Sequence, residues 1–370
     1  MANFSARNNV THPLSPPCSD YSIEALTVSG IFGYVLLIIV ALTGNFLIGL
    51  IVFKTKSMRI TINYLIVNMA MSDLIIPILA FTRVITEKYI GHWIVGGPFG
   101  LVLCKLLYFF LDASTAVSVL SLTLIAVDRF GAIVFPFRPP IVSSKRCPCY
   151  IIAIWVIAMA LHSPYLAARK ISSTKGKTLC NLEWTGTFGM SSSVSRYFVS
   201  MFLVLVLVPF TVMTILYSVI IAKVKLQRMP KSESVNAKEQ QKRIKRERNV
   251  LNMALAIVLG FALCWAPFNI IGFLYFFVWD SDIKNMPSGC AFQIFRSFAS
   301  FTAYANCALN PCICFCFSEN YRRALKSIFT FSPQNFECSC CGPTRKQSWN
   351  VKTMVIKESG LENVTMTSLT

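Results

Sequence analysis

Seven apolar stretches separated by short polar gaps set the pattern of this chain: roughly 28–53, 62–86, 101–134, 148–167, 194–223, 243–278 and 290–316. Each is near or above the ~20 residues that an α-helix needs to cross a bilayer core. The other runs are placed relative to the third. Its 25 residue steps from Cys104 to Arg129 rise roughly 37 Å as α-helix, enough for a core of about 30 Å. Within it stand Asp112, Ser114, Thr115, Ser118, Ser121 and Thr123, too many polar groups for a lipid-facing helix, so protein is expected around it. Past the last run, Tyr321, Leu325, Ile328 and Phe329 fall on one helical face and Arg322, Arg323 and Lys326 on another. That is the pattern of a short helix lying on an anionic leaflet. The prediction is an all-α membrane protein: a seven-transmembrane helix bundle over 28–316 with a short amphipathic helix after the last span, over 317–331. A tail over 1–27 precedes the bundle, and a polar tail over 332–370 ends the chain.

Composition agrees with the pattern. Of 370 residues, 55% are apolar and 14% charged, with a mean hydropathy of +0.59, too oily for an ordinary soluble domain. The net charge of +19 would suit nucleic acid, but the basic residues cluster in the gaps, as orientation bias in a membrane produces. No nucleic-acid partner is expected. Asp20 and Glu24 precede the first span, and Lys54, Lys56 and Arg59 follow it, which places the N-terminus outside. Arg138, Lys145 and Arg146 then fall inside, as do the ten Lys and Arg between Lys223 and Arg248. Arg169, Lys170, Lys175 and Lys177 run against the bias. Met1 to Pro17 holds no signal-peptide core, so the first span is expected to direct insertion itself.

The outer tail carries sequons at Asn3 and Asn9 for glycosylation, while a third at Asn363 falls inside, where it has no meaning. Cys338, Cys340 and Cys341 follow the amphipathic helix and are candidates for palmitoylation, the alternative being reduced thiols. The Ser- and Thr-bearing tail beyond them is open to phosphorylation.

Polar residues at membrane depth are functional candidates because each is costly if unpaired. Asn45, Asp73, Ser118, Asn306 and Asn310 fall at similar depth in an antiparallel bundle. They read either as a hydrogen-bond network around a neutral Asp73 or as a site for a monovalent cation such as sodium. Span 6 carries Phe261, Cys264, Trp265 and Pro267, an aromatic next to a proline bend. Glu247 lies 18 residues before Trp265, on the same face about 27 Å lower. It would clamp Arg129, unless Arg129 pairs locally with Asp128. Span 5 adds Pro209 and Tyr217, and span 7 adds Asn310-Pro311. Bends in three adjacent helices suit a bundle with two arrangements.

Together these residues resemble the rhodopsin-like (class A) G protein-coupled receptors. One landmark stands in each span: Asn45, Asp73, Arg129, Trp155, Pro209, Cys264-Trp265-Ala266-Pro267 and Asn310-Pro311. The resemblance implies nucleotide exchange on a heterotrimeric G protein, with Asp128, Arg129, Phe137, Tyr217, Glu247, Phe261, Trp265, Pro267, Asn310 and Pro311 in coupling and switching. It also implies a disulfide between Cys104 and Cys180, plasma-membrane location, and arrestins and receptor kinases as further partners. Cys18 and Cys290 are candidates for a second outer disulfide. Phe130 stands where tyrosine is usual, and Cys314 replaces the tyrosine of the family's Asn-Pro-x-x-Tyr. Cys307 replaces a serine usual at the sodium site.

Ligand residues are sought near the outer opening: Arg83, Glu87, Asp112, Glu183, Trp184, Phe268, Asn269, Tyr275, Arg296 and Tyr304. This mix of charges and rings suits a peptide, and the second outer loop around Cys180-Asn181-Leu182-Glu183-Trp184 resembles neuropeptide receptors. Loop-end solvation is the plainer role for such residues. Retinal is excluded because 290–316 holds no lysine. Amine receptors carry an aspartate at the position of Leu111; Asp112 is about 100° further round the helix, so a biogenic amine or other small molecule is the alternative. No internal repeat points to a transporter. Only His12, His92 and His162 are present, and no nucleophile, acid–base or metal cluster points to an enzyme or cofactor chemistry.

Overall fold

The computed structural model describes residues 20–84, 86, 90–174, 176–189, 192–226, 235–279 and 285–329. Within these ranges, the side chains of 20–27, 174, 192, 193, 225, 235–239, 242, 243, 246, 247 and 329 are not described. Asn3, Asn9, Cys18, Glu87, Cys338, Cys340 and Cys341 lie outside the described residues, and Glu247 is described in its backbone only.

Seven long helices form: α1 Asp20–Lys54, α2 Thr61–Val84, α3 Gly97–Val134, α4 Cys147–His162, α5, α6 Val235–Phe277 and α7 Cys290–Phe317. α5 comprises Ser192–Phe202 and Val208–Leu226 joined through a π-helical turn at Leu203–Leu207. Pro209 lies just beyond that turn. A proline has no N–H to close the ladder, so the helix widens by one residue instead of bending sharply. α8, Glu319–Phe329, follows the last span.

Six stretches are long and apolar enough to cross a membrane: Val28–Lys54, Thr61–Val84, Gly97–Val134, Cys147–Ala168, Val194–Val224 and Arg248–Phe277. α7 completes the seven at 28 residues. Its Ser, Thr and Asn side chains lower its hydropathy because it faces the other helices. α3 is the central helix, with 61% of its most apolar window buried against 17% in α5 and α6. Large apolar side chains such as Phe46, Phe53, Ile78 and Leu263 face outward, which suits lipid and not water.

Two ends differ from expectation. α1 starts at Asp20, inside the stretch read as a tail, where an acidic residue near the N-terminus favours the helix dipole. α6 starts at Val235, eight residues before the apolar run, because Ala237 to Arg248 is rich in the strong helix formers Ala, Lys, Glu, Gln and Arg.

Close packing needs small residues. A Cβ on Gly44 would stand 2.6 Å from Pro311, so glycine lets α1 approach α7. That approach lets Asn45 Nδ2 donate to the Cys307 carbonyl at 2.8 Å while also bonding Ala41 O at 2.9 Å. On the outer side, β1 (Arg169–Thr174) and β2 (Lys177–Leu182) form an antiparallel hairpin with Gly176 at φ 74°. β-Branched Ile and Thr and a turn glycine explain it, and it is the strand element the helical reading did not foresee. Cys180 on β2 is disulfide-bonded to Cys104 near the start of α3. Trp93 N–H donates to Thr178 O at 2.7 Å, fixing the first outer loop to the same strand. Cys290 is disulfide-bonded as well.

α8 has the amphipathic face read from the sequence. Tyr321 and Ala324 are buried, Leu325 and Ile328 pack beside them, and Arg322, Arg323 and Lys326 are exposed.

Candidate ligand cavity and polar switch

α3, α4, α5 and α6 enclose a cavity of about 450 Å³. Its wall is aromatic: Tyr165, Tyr197, Phe198, Phe202, Phe210, Phe261, Trp265, Phe268 and Phe273, with His162, Asp112 and Asn269 as polar members. The α5 members recur at helical spacing (Tyr197, Phe198, Met201, Phe202, Leu205), so one stripe of the helix supplies a continuous wall. That stripe was readable in the sequence, but as an ordinary core face; only the placement of α6 opposite it leaves a cavity.

Of the ten ligand candidates, Asp112, Phe268 and Asn269 line this cavity. Asp112 therefore does face inward, while Leu111 packs in a cluster with Ile76, Ala80 and Cys307 instead. Trp184 is only 7% exposed, packed against Tyr197 at 4.7 Å and Phe188 at 4.8 Å, so it supports the wall from behind. Glu183 pairs with Lys170 at 3.3 Å on the exposed hairpin. Tyr304 meets Tyr34 of α1 edge-on at 6.2 Å, Tyr275 packs on Phe276 at 5.0 Å, and Arg296 is exposed. The Arg83 guanidinium lies over the Tyr108 ring at 4.8 Å, and Arg169 over the same ring at 3.5 Å. Arg169 was missed as a candidate because it reads as a loop charge. In the fold it is packed in, and burial pushes its pKa down, with Arg83 adding to that and Tyr108, Tyr165 and Asp112 opposing it.

The cavity floor leads into a ladder of rings. Phe268 meets Trp265 at 5.7 Å, Trp265 meets Phe261 at 6.0 Å, and Phe261 meets Phe210 of α5 at 5.9 Å. Pro267 interrupts α6 within this ladder. Asn269 Nδ2 donates to Trp265 O at 3.0 Å, one turn back along the helix, while the carbonyl that Pro267 leaves without its helical donor is that of Leu263.

Below the ladder lies the polar layer. Asp73 is fully buried, accepting from Asn310 Nδ2 at 2.7 Å and Ser118 Oγ at 3.4 Å. Ser72 and Ser118 hydroxyls meet at 3.1 Å. Asn68 donates to Ser121 at 2.9 Å and accepts from Trp155 Nε1 at 2.9 Å, tying α2, α3 and α4. Asn45 Oδ1, Asn306 Oδ1 and Ser114 Oγ have no hydrogen-bond partner among the described residues. A buried carboxylate and unpartnered side-chain oxygens on neighbouring helices are the donor type that a hard cation takes. Asn310 differs from the sequence reading in one respect, since it turns an N–H and not its oxygen to Asp73. The Cys307 thiol donates to Tyr304 O at 3.0 Å, a carbonyl of its own helix.

At the inner end Arg129 is held by its neighbour: Nε donates to Asp128 Oδ2 at 3.1 Å, and Nη2 bonds the same oxygen. The local pair is thus the one seen. Tyr217 is buried against the inner core cluster, and Cys314 is fully buried in it. Tyr321 of α8 is 1% exposed and donates its phenol to Asn63 Oδ1 at 3.4 Å. The sequence reading gave it only a face; the fold gives it a bond to α2. Beside these lies an inner cavity of about 1290 Å³ lined by Arg129, Asn63, Lys245, Asn249, Ser318, Tyr321 and Arg323 among others. Phe137, in the loop after α3, is completely exposed at 101%.

The sequence profile of the 7 transmembrane receptor (rhodopsin family) matches residues 44–313. The chain belongs to the rhodopsin family of seven-transmembrane receptors. It is similar to the substance-K receptor of Mus musculus, 28% identical over 81% of this chain and 75% of that one. The neuropeptide Y receptor type 1 of Xenopus laevis is 29% identical over 87% and 86%, and the neuromedin-K receptor of Rattus norvegicus 28% over 90% and 69%. This receptor is therefore a multi-pass protein of the plasma membrane, a G protein-coupled receptor and not an enzyme.

Proposed function

We propose that this receptor is activated by an extracellular peptide whose end seats in the aromatic cavity, and that it opens its inner cavity to a heterotrimeric G protein. The observation that carries this reading is the continuous ring ladder from the cavity wall to the inner core. A ligand pressing on Phe268 or Trp265 acts on α6 next to Pro267, where the helix is weakest. A volume of about 450 Å³ holds the end of a peptide and not its length, so the rest would lie on the hairpin and outer loops, near Arg83, Glu87, Glu183, Tyr275 and Arg296. The similar receptors carry the names of peptides, which supports the same class here.

On the inner side, Arg129, the inner cavity and the exposed Phe137 would meet the G protein, with Asp128 holding Arg129 at rest and Glu247 of α6 as the rival acid. Asn45, Asp73, Ser118 and Asn306 would hold a sodium ion, with Asn310 steadying Asp73; the ion would supply positive charge that favours the resting arrangement. Glycans on Asn3 and Asn9, palmitate on Cys338, Cys340 and Cys341, a Cys18–Cys290 bond, and arrestins and receptor kinases at the tail complete the proposal. A biogenic amine is the second reading, favoured by Asp112 in the cavity wall.

Cells expressing the receptor are screened against a peptide library, with biogenic amines in parallel and G protein nucleotide exchange as the readout. Response to a peptide supports the first reading. Response to amines alone replaces it with the second.

A further inference from the structure

The inner loop between α3 and α4, residues 135–146, contains no helix or strand and is broken by Pro136, Pro139 and Pro140. All of it is exposed except Val142 and Ser143. Ile141 covers Gly131 of α3, where a Cβ would stand 2.7 Å from the Ile141 side chain, and Val142 is buried. Beyond these apolar contacts one polar contact ties the loop to α2: Ser144 Oγ lies 2.8 Å from Thr61 Oγ1, the first residue of that helix. The surroundings of this hydroxyl pair are positive. Lys145 and Arg146 follow Ser144, and Arg59 stands two residues before Thr61, all three exposed. No acidic residue occurs between Asp128 and Glu183, nor between Glu24 and Asp73, and Asp128 is taken by Arg129. Arg59 bonds the Phe53 carbonyl, while Lys145 and Arg146 make no ion pair with a described residue.

An exposed alcohol in an irregular segment, followed by two cations and no acid, has the chemistry of a substrate for a serine kinase with an acidic groove. We propose that Ser144 is a phosphorylation site and that phosphate there parts the loop from α2. Ser144 Oγ attacks the γ-phosphorus of ATP, the new O–P bond replaces the β–γ bridging bond, ADP leaves, and the hydroxyl proton passes to the kinase's base. The product carries a charge of about −1.5 to −2, which Lys145, Arg146 and the positive N-terminal end of α4 take up. Two oxygens 2.8 Å apart leave no room for a phosphoryl group between them, so Thr61 and Ser144 separate. Phe137, seven residues earlier on the same loop, then loses its fixed place on the face offered to the G protein, and exchange falls. The modification stands on the loop's own geometry; its effect on exchange rests on the receptor reading above.

The test uses the full-length receptor in lipid nanodiscs, the catalytic fragments of protein kinases C and A with ATP, and mass spectrometry to place the phosphate. Wild type and Ser143→Ala are expected to carry phosphate on Ser144. Lys145→Gln with Arg146→Gln is expected to slow its incorporation by roughly 10-fold. Fluorophores on noncanonical residues at Lys56 and Arg138 report the loop: their separation is expected to widen when wild type is treated and to hold in Ser144→Ala. Nucleotide exchange, basal or agonist-driven, is expected to fall about 5-fold or more in treated wild type. It is expected to hold in Ser144→Ala treated alike, which controls for phosphate on the tail. Phosphate on the tail or Ser143 but not on Ser144, an unchanged separation, unchanged exchange, or an equal fall in Ser144→Ala overturns the proposal. The receptor reading fails separately, if no library peptide or amine raises exchange above that of Arg129→Ala. The phosphate position and the label separation then still decide this inference.

Discussion

Asn310 donates a side-chain N–H to the Asp73 carboxylate at 2.7 Å, joining α7 to α2 where Ser118 of α3 reaches the other oxygen at 3.4 Å. Three helices thus share one carboxylate, and Pro311 sits one residue from the α7 contact. Because the proline leaves a gap in the α7 ladder, the helix can pivot at the point where Asp73 holds it. Movement of the inner end of α7 and the state of Asp73 are therefore coupled.

Asp73→Asn tests that coupling. Wild-type receptor in sodium chloride is expected to melt a few degrees above the same protein in choline chloride, since an ion bound at several times its dissociation constant adds about 1 kcal/mol. The variant is expected to melt alike in both salts. A sodium effect that survives the substitution places the ion elsewhere.

Trp155→Phe removes the indole donor to Asn68 and leaves the ring. The unpaired Asn68 oxygen costs about 1–3 kcal/mol, expected as a lower melting temperature with agonist potency retained. Unchanged melting would show that this link between α4 and α2 contributes nothing.

Cys104→Ser opens a covalent loop of 76 residues. Loss of such a bridge costs about 2–5 kcal/mol, and it also releases β2 from α3. Surface abundance, read by antibody to an extracellular tag, is expected to fall severalfold, together with agonist response.

Arg129→Ala is expected to abolish nucleotide exchange at normal surface abundance. Asp128→Asn, which frees Arg129 from the only acid seen on it among the described residues, is expected to raise basal exchange. Glu247→Ala measures the rival clamp. A larger rise there than with Asp128→Asn would transfer the restraint to α6.

Cys314→Tyr places a phenol where the fold holds a fully buried thiol. Overpacking of this kind costs about 1–3 kcal/mol, read as lower stability, and the new phenol is expected to change agonist efficacy. Unaltered efficacy would indicate that Tyr321, already bonded to Asn63 from α8, serves that layer.

The seven spans, the amphipathic α8 and the polar layer were legible because each is written in local spacing, while the starts of α1 and α6, each eight residues earlier than the apolar run, were not. A run of ~20 apolar residues can do little but cross a membrane as helix. Asp73, Asn45 and Asn310 stand out against such a background on sequence alone. Less legible were the outer hairpin, the π-turn in α5 and the packing of Trp184 on Tyr197 and Phe188.

The rest depends on which helix faces which. From the chain alone, Asp112 was one step off the expected face, and Arg83, Glu183 and Tyr304 looked as well placed as Phe268. A helix period fixes the angle between two side chains of one helix but not the rotation of that helix against its neighbours. Packing sets that rotation, through contacts such as Gly44 on Pro311 between residues 267 positions apart. So the sequence determined that this protein is a membrane-spanning bundle with a buried polar layer. Only the tertiary structure turned Asp112 into the cavity, laid Arg83 and Arg169 on Tyr108 outside it, and paired Arg129 with Asp128.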